Sequence, residues 1–178
     1  MTELAREYGD GLYALTEEEN ISQEVLMQLL ELKKLFRSQP DFIRLLGNMS
    51  LSKEERVKII DSVLRGQVHP YLLNFLKILC ERGALTEYEG CLSAFKTLYN
   101  QAHGIVEATV TTAVALDDEQ RARMSEKLSA KTGKTVVLTE KVDASLMGGV
   151  LLEMNGQRYD NTLKNRLKSI HSAMVQGA

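Results

Sequence analysis

Gly9-Asp-Gly11-Leu-Tyr-Ala14 has the GxGxxA spacing with which a glycine-rich turn admits a dinucleotide pyrophosphate to a helix N-terminus. That chemistry requires a strand before the turn, and no strand fits so close to Met1. Gly133-Lys-Thr135 ends like a phosphate loop, but the motif's first glycine would have to stand at Leu128. The elements are also reversed there, with a helix before and a strand after, so the stretch reads as a helix stop. His69, His103 and His171 are scattered, without metal-ligand spacing to cysteine or carboxylate, and read as solvated or capping residues. Ser50-Leu-Ser-Lys53 and Ser93-Ala-Phe-Lys96 have the SxxK spacing of one nucleophile class without its other motifs. Asn48-Met-Ser50 is a glycosylation sequon with no secretory context. Cys80 and Cys91 fall in apolar helical patterns without CxxC spacing, and read as reduced core residues of a cytosolic chain. No catalytic residue, metal site or cofactor emerges, so binding surfaces are favoured over an active site.

The densest run of local signals is Asp143 to Leu167. Asp143 and Ser145 are turn-capping types, and Gly148 and Gly149 permit backbone angles that side chains forbid. Asn155-Gly156 suits a two-residue hairpin turn, and Asp160 stands ready to cap a last helix. These residues are expected to be architecture.

The elements around them divide in two. Leu4, Ala5, Tyr8, Leu12, Tyr13 and Leu15 recur at helical spacing, with Gly9 and Gly11 marking close approach of another helix. Further helices are expected over Ile21 to Arg37, from Pro40, from a capping box at Ser52 and Glu55 to Gly66, from Pro70 to Gly83, and over Leu85 to Ala102. The helix from Pro70 is apolar nearly all round, through Leu72, Phe75, Leu76 and Leu79, so it must be central or covered on two sides. At Ile105 the pattern turns β-branched. A strand is expected there, then a helix from Asp117 to Gly133, a short strand over Thr135 to Leu138, and a hairpin of Gly149 to Met154 with Gln157 to Tyr159. A last helix carries the stripe Leu163, Leu167, Ile170 and Met174. The expected fold is mainly α with two domains, a six-helix bundle over 1–104 and a small α+β domain over 105–178.

With 178 residues, net charge −2 and 6% aromatic residues, the chain has neither the positive field nor the stacking platform that nucleic acid needs. No apolar run approaches the roughly 20 residues of a membrane span, and Met1 to Tyr13 is too charged for a signal peptide, so direct membrane insertion is not expected. Residues alone leave a helical adaptor or regulator with an unrelated partner as an alternative reading.

The run Asp143-Ala-Ser145-Leu146-Met147-Gly148-Gly149-Val150, continued by Asp160-Asn-Thr162-Leu163 and Leu167, resembles the C-terminal signature of the delta subunit of F-type (rotary) ATP synthases, related to the mitochondrial oligomycin-sensitivity-conferring protein. Tyr8-Gly-Asp-Gly-Leu-Tyr-Ala-Leu15 resembles the family's first helix. Asn74-Phe-Leu-Lys-Ile-Leu-Cys-Glu-Arg-Gly-Ala-Leu85 resembles its Asn-Phe-Leu and Glu-x-Gly pattern. The hairpin departs from the family, which has glycine followed by Asp or Asn where this chain has Asn155-Gly156. The resemblance covers the whole chain and implies a non-catalytic stator subunit, one copy per complex, at the cytoplasmic face of the bacterial plasma membrane. Its N-terminal domain would hold N-terminal helices of alpha subunits and its C-terminal domain the distal ends of the b subunits. Tyr8, Gly9, Gly11, Leu12, Tyr13, Leu72, Phe75, Leu76 and Leu79 are the candidates for alpha. The hairpin with Leu163, Leu167, Ile170 and Met174 is the candidate surface for b.

Overall fold

The computed structural model describes residues 2–47 and 51–168. The chain is mainly helical, with a small four-stranded sheet in its C-terminal part, and it divides into compact units Met1–Tyr99 and Asn100–Ala178.

The first unit contains α1 (Glu3–Glu18), α2 (Ser22–Ser38), α3 (Pro40–Leu46), α4 (Lys53–Leu64), α5 (Pro70–Glu81) and most of α6 (Tyr88–Ala102). Their starts follow side-chain chemistry. The Thr2 hydroxyl accepts the Ala5 N–H at the head of α1, and Ser52 and Glu55 form the reciprocal capping box of α4. Where Leu85 was expected to open a helix, Leu85–Glu87 forms a 3₁₀ turn and α6 begins at Tyr88. The core is built on α5, whose Leu72, Leu76, Leu79 and Cys80 are wholly buried, with Leu73 and Phe75 nearly so. At about 1.5–3 kcal/mol for each large apolar side chain removed from water, this one helix is a main source of the unit's stability. Thr16 of α1 is buried as well, but its hydroxyl donates to the Leu12 carbonyl at 2.9 Å and so leaves no polar atom unpaired.

The second unit carries a sheet of order β2-β1-β3-β4. Strand β1 (Ile105–Thr112) runs parallel to β2 (Thr135–Val142) through the crossover helix α7 (Asp118–Thr132). Strands β3 (Gly149–Met154) and β4 (Gln157–Thr162) follow antiparallel. Asp117 and Gln120 cap α7 reciprocally, and Gly133 ends it in the left-handed conformation. Val106, Ala108 and Val136 form the centre of the core under α7, with Leu128, Leu138, Leu152 and Met154 against them. Strand β2 runs four residues beyond the expected Leu138 because Glu140 takes an inward position. There its carboxylate accepts the Leu116 N–H and the Arg121 guanidinium, so a charged residue hides the alternation. Strand β4 likewise runs on from Tyr159 to Thr162.

Candidate docking surfaces

In the first unit the face of α1 that packs inward is Ala5, Gly9, Leu12 and Thr16. Gly9 lies against α6 so closely that a Cβ there would stand 2.5 Å from the Cys91 carbonyl oxygen and 2.6 Å from the Ala94 Cβ. The close approach expected of Gly9 is thus made inside the unit. Gly11 has nothing within 4 Å of its Cβ position among the described residues, and is exposed. Tyr8 and Tyr13 are half-buried, and the Tyr13 ring meets Phe95 edge-on with centroids 5.5 Å apart. Desolvation, followed by the nearby Glu17 carboxylate, pushes the Tyr13 phenol up. Of the expected alpha-binding residues, Gly9, Leu12, Leu72, Phe75, Leu76 and Leu79 are therefore interior, and Tyr8, Gly11 and Tyr13 reach the surface.

The outward face of α1 also carries Leu4 and Leu15, 37% and 42% exposed. With Tyr8 and Gly11 they form a stripe at i, i+4, i+7 and i+11. On the neighbouring helix α5, Ile78 is 44% exposed. Sequence reasoning missed Leu4, Leu15 and Ile78 as surface residues. Periodicity groups them with the core leucines, and only the packing partners separate the two sets.

In the second unit Asp143 accepts the Ser145 N–H at 2.9 Å and starts a 3₁₀ turn over Ala144–Leu146. Hydrogen bonding by Ser145 holds the Asp143 carboxyl below its ordinary range. Met147, Gly148 and Gly149 follow at φ 53°, 139° and 85°, which turns the chain into β3. Gly149 is enforced by space as well as by angle, since a Cβ would lie 2.5 Å from the Asn161 carbonyl oxygen and 2.7 Å from the Thr162 Cα. The hairpin closes at Asn155 and Gly156, both at positive φ, as a turn of the primed type requires.

Asp160 does not cap the helical segment that begins at residue 163. It lies in β4 opposite Leu151 and accepts the Thr162 N–H at 3.0 Å, while the Thr162 hydroxyl accepts the Asn165 N–H at 3.2 Å and is the cap. The strand continues past Asp160, which displaces the helix start by two residues. Thr162 bonding lowers the Asp160 carboxyl. Leu163 and Leu167 are 47% and 64% exposed, and the Leu163 N–H donates to the Gly148 carbonyl, tying the segment to the glycine turn. Ile170 and Met174 lie outside the described residues.

Among the described residues no cluster of His, Cys, Asp and Glu could hold a metal. His69 caps α5, its Nδ1 accepting the Tyr71 N–H at 3.3 Å, and Cys80 and Cys91 are free and buried.

The family model "ATP synthase delta (OSCP) subunit" matches residues 4–174. The chain belongs to that family. It is 31% identical to the ATP synthase subunit delta of Lactobacillus acidophilus over 97% of this chain and 95% of that one. Against the ATP synthase subunit delta of Clostridium kluyveri the identity is 30%, over 98% and 96%. A chain in the cryo-EM structure of the Toxoplasma gondii mitochondrial ATP synthase hexamer superposes with a TM-score of 0.77 over 98% of each chain, at 16% identity, and so shares the fold. Family membership makes the protein a non-catalytic peripheral-stalk subunit of the F-type ATP synthase. No helix among the described residues is long and apolar enough to cross a membrane.

Proposed function

We propose that this subunit is the joint between the catalytic head and the peripheral stalk, with residues 1–104, a six-helix bundle, taking N-terminal helices of alpha subunits and residues 105–178 taking the C-terminal ends of the b subunits. One copy serves each complex, at the cytoplasmic face of a bacterial plasma membrane. The role is mechanical: torque from the rotor turns the head unless a static link opposes it, and without that link proton flow does not drive ATP synthesis. The observation that carries the alpha assignment is the outward stripe Leu4, Tyr8, Gly11 and Leu15 on α1, beside α5 with its exposed Ile78. An amphipathic helix laid along such a stripe gains apolar anchors from the leucines and close backbone approach at the glycine. The buried Leu72, Phe75, Leu76 and Leu79 hold the wall behind it, and Leu163 and Leu167 with the hairpin are the part of the b surface that the described residues contain.

The test is titration of the full chain with a peptide copying the alpha N-terminal segment. Binding is expected, and Tyr8→Glu with Leu15→Glu should weaken it at least tenfold while leaving binding of a soluble b segment intact. Equal affinity of the alpha peptide for wild type and the double variant removes α1 from the interface.

A further inference from the structure

Asn155-Gly156 sets a side-chain amide beside a backbone nitrogen that no following side chain shields, and it is the single Asn-Gly pair in the sequence. The pair forms the two-residue turn between β3 and β4, at φ 52° and 74°, beyond the last ladder pair, Met154 with Gln157. Both residues are exposed, and among the described residues neither the Asn155 amide nor the Gly156 N–H has a hydrogen-bond partner. Nothing lies within 4 Å of the place a Gly156 Cβ would take. A ring built between the Asn155 side chain and the Gly156 nitrogen therefore meets no neighbour on that side.

Elsewhere in the chain the same two groups are kept apart. The other six asparagines each precede a residue with a side chain, as Asn20 precedes the β-branched Ile21 and Asn161 precedes Thr162. Asp10-Gly11 is the nearest chemical relative, but it lies inside α1. There the Gly11 N–H belongs to the helix ladder, and the Asp10 carboxylate faces Arg6 at 3.8 Å.

We propose that Asn155 is a site of spontaneous covalent modification in the free subunit, losing its side-chain amide to the Gly156 nitrogen. That nitrogen gives its proton to a solvent base and attacks the Asn155 Cγ; the new C–N bond closes a succinimide, the Cγ–Nδ2 bond breaks, and Nδ2 leaves as ammonia. Water then opens the ring at either carbonyl. Opening at Cγ gives aspartate, and opening at the main-chain carbonyl gives iso-aspartate, in which the chain runs through the former side chain. The two products differ in consequence. Aspartate tolerates positive φ, so that form keeps the turn and adds one negative charge to a chain of net charge −2. Iso-aspartate puts a further carbon atom into a turn whose length fixes the register, so Met154 with Gln157 and Glu153 with Arg158 cannot both stay opposite, and the end of the hairpin opens.

The experiment keeps the folded full chain in mildly alkaline buffer at physiological temperature and samples it over weeks by peptide mass spectrometry, with fragmentation that separates aspartate from iso-aspartate. The peptide holding Asn155 should gain about 1 Da before any other asparagine peptide does, as an amide becomes an acid. Asn155→Gly suits the turn angle without carrying an amide, and should gain nothing at that peptide. Amide exchange from Glu153 to Arg158 should match fresh wild type in Asn155→Asp and run faster in the aged iso-aspartyl fraction, with α1 to α5 unchanged in both. Asn155 that keeps its amide in the folded chain while losing it in urea overturns the proposal, because the folded turn then holds the two groups apart. So does an iso-aspartyl fraction whose hairpin exchanges at the wild-type rate.

Discussion

Gly9 and Cys91 fix the distance between α1 and α6: the place where a Gly9 side chain would begin is 2.5 Å from the Cys91 carbonyl oxygen. One turn of α6, from the Cys91 carbonyl through the Ala94 Cβ to the Phe95 nitrogen, lines that contact, so the clash cannot be relieved by a rotamer change. Gly9→Ala is expected to cost about 1–3 kcal/mol by overpacking. Gly11, two residues on, faces open space, and Gly11→Ala should stabilise the free chain by about 0.5–1 kcal/mol through helix propensity. Urea midpoints moving in the same direction in both variants would contradict the packing described. If alpha docks on this stripe, Gly11→Ala should weaken alpha binding while stabilising the subunit.

Gly149→Val combines two faults, a β-branched residue at φ 85° and a Cβ 2.5 Å from the Asn161 carbonyl oxygen. Pairing of β3 with β4 cannot survive that contact unchanged. Amide exchange should rise throughout β3, β4 and the Asp143 turn while α1 to α5 stay protected, and attachment of the b segment should fail. Normal protection of β4, or normal coupled ATP synthesis, in this variant would count against the account given for Gly149.

The helices were legible because apolar periodicity and caps agree, as at Ser52 with Glu55 and Asp117 with Gln120. Turn chemistry was equally clear at Asn155-Gly156, where positive φ is required twice. What the sequence hid depends on neighbours. Glu140 reads as an exposed residue that ends a strand, yet it sits inward because the Leu116 N–H and Arg121 are there to meet it. Asp160 and Thr162 are both capping types two residues apart, and the length of β4 decides between them. Leu4, Leu12 and Leu15 are chemically alike, and only the position of the other helices makes Leu12 core and the other two surface.

Acid sensitivity should trace to specific carboxylates. The Leu116 N–H, and next the Arg121 guanidinium, hold the Glu140 carboxyl below its ordinary value. A carboxyl with a folded pKa below its unfolded value, about 4.3 for glutamate, stabilises fully above that value and loses its contribution as pH falls through the folded pKa. Glu140→Gln keeps an acceptor for Leu116 and discards the charge. Wild type should melt higher than the variant at pH 7, and the gap should close below about pH 4. A gap independent of pH would remove Glu140 ionisation from the stability of the second unit.

Tyr88 joins α6 to α2 through one bond, its buried hydroxyl donating to the Leu29 carbonyl at 2.7 Å, with its ring edge-on to Phe36 at 5.0 Å. Burial raises the phenol above its ordinary value, which keeps the hydroxyl a donor near neutral pH. Tyr88→Phe keeps the ring contact and should cost about 1 kcal/mol. Tyr88→Leu should cost more, since it also loses the aromatic pair. Equal losses in the two variants would show that the ring contact contributes nothing.

Both thiols report on the same packing. Burial pushes Cys80 up, and desolvation, followed by the Glu87 charge, pushes Cys91 up to about 11. A buried thiol that is protonated at pH 8 is a poor nucleophile, so a maleimide should leave both cysteines unmodified in the folded chain and label them in urea. Because Gly9 rests on the Cys91 carbonyl, Gly9→Ala should speed labelling of Cys91 in native buffer, and Gly11→Ala should slow it. Opening of the α1–α6 contact is then the step the reagent waits for, and its rate should follow the stability change of each variant. Cys91 that labels at one rate in wild type and both variants would mean that α1 does not guard it.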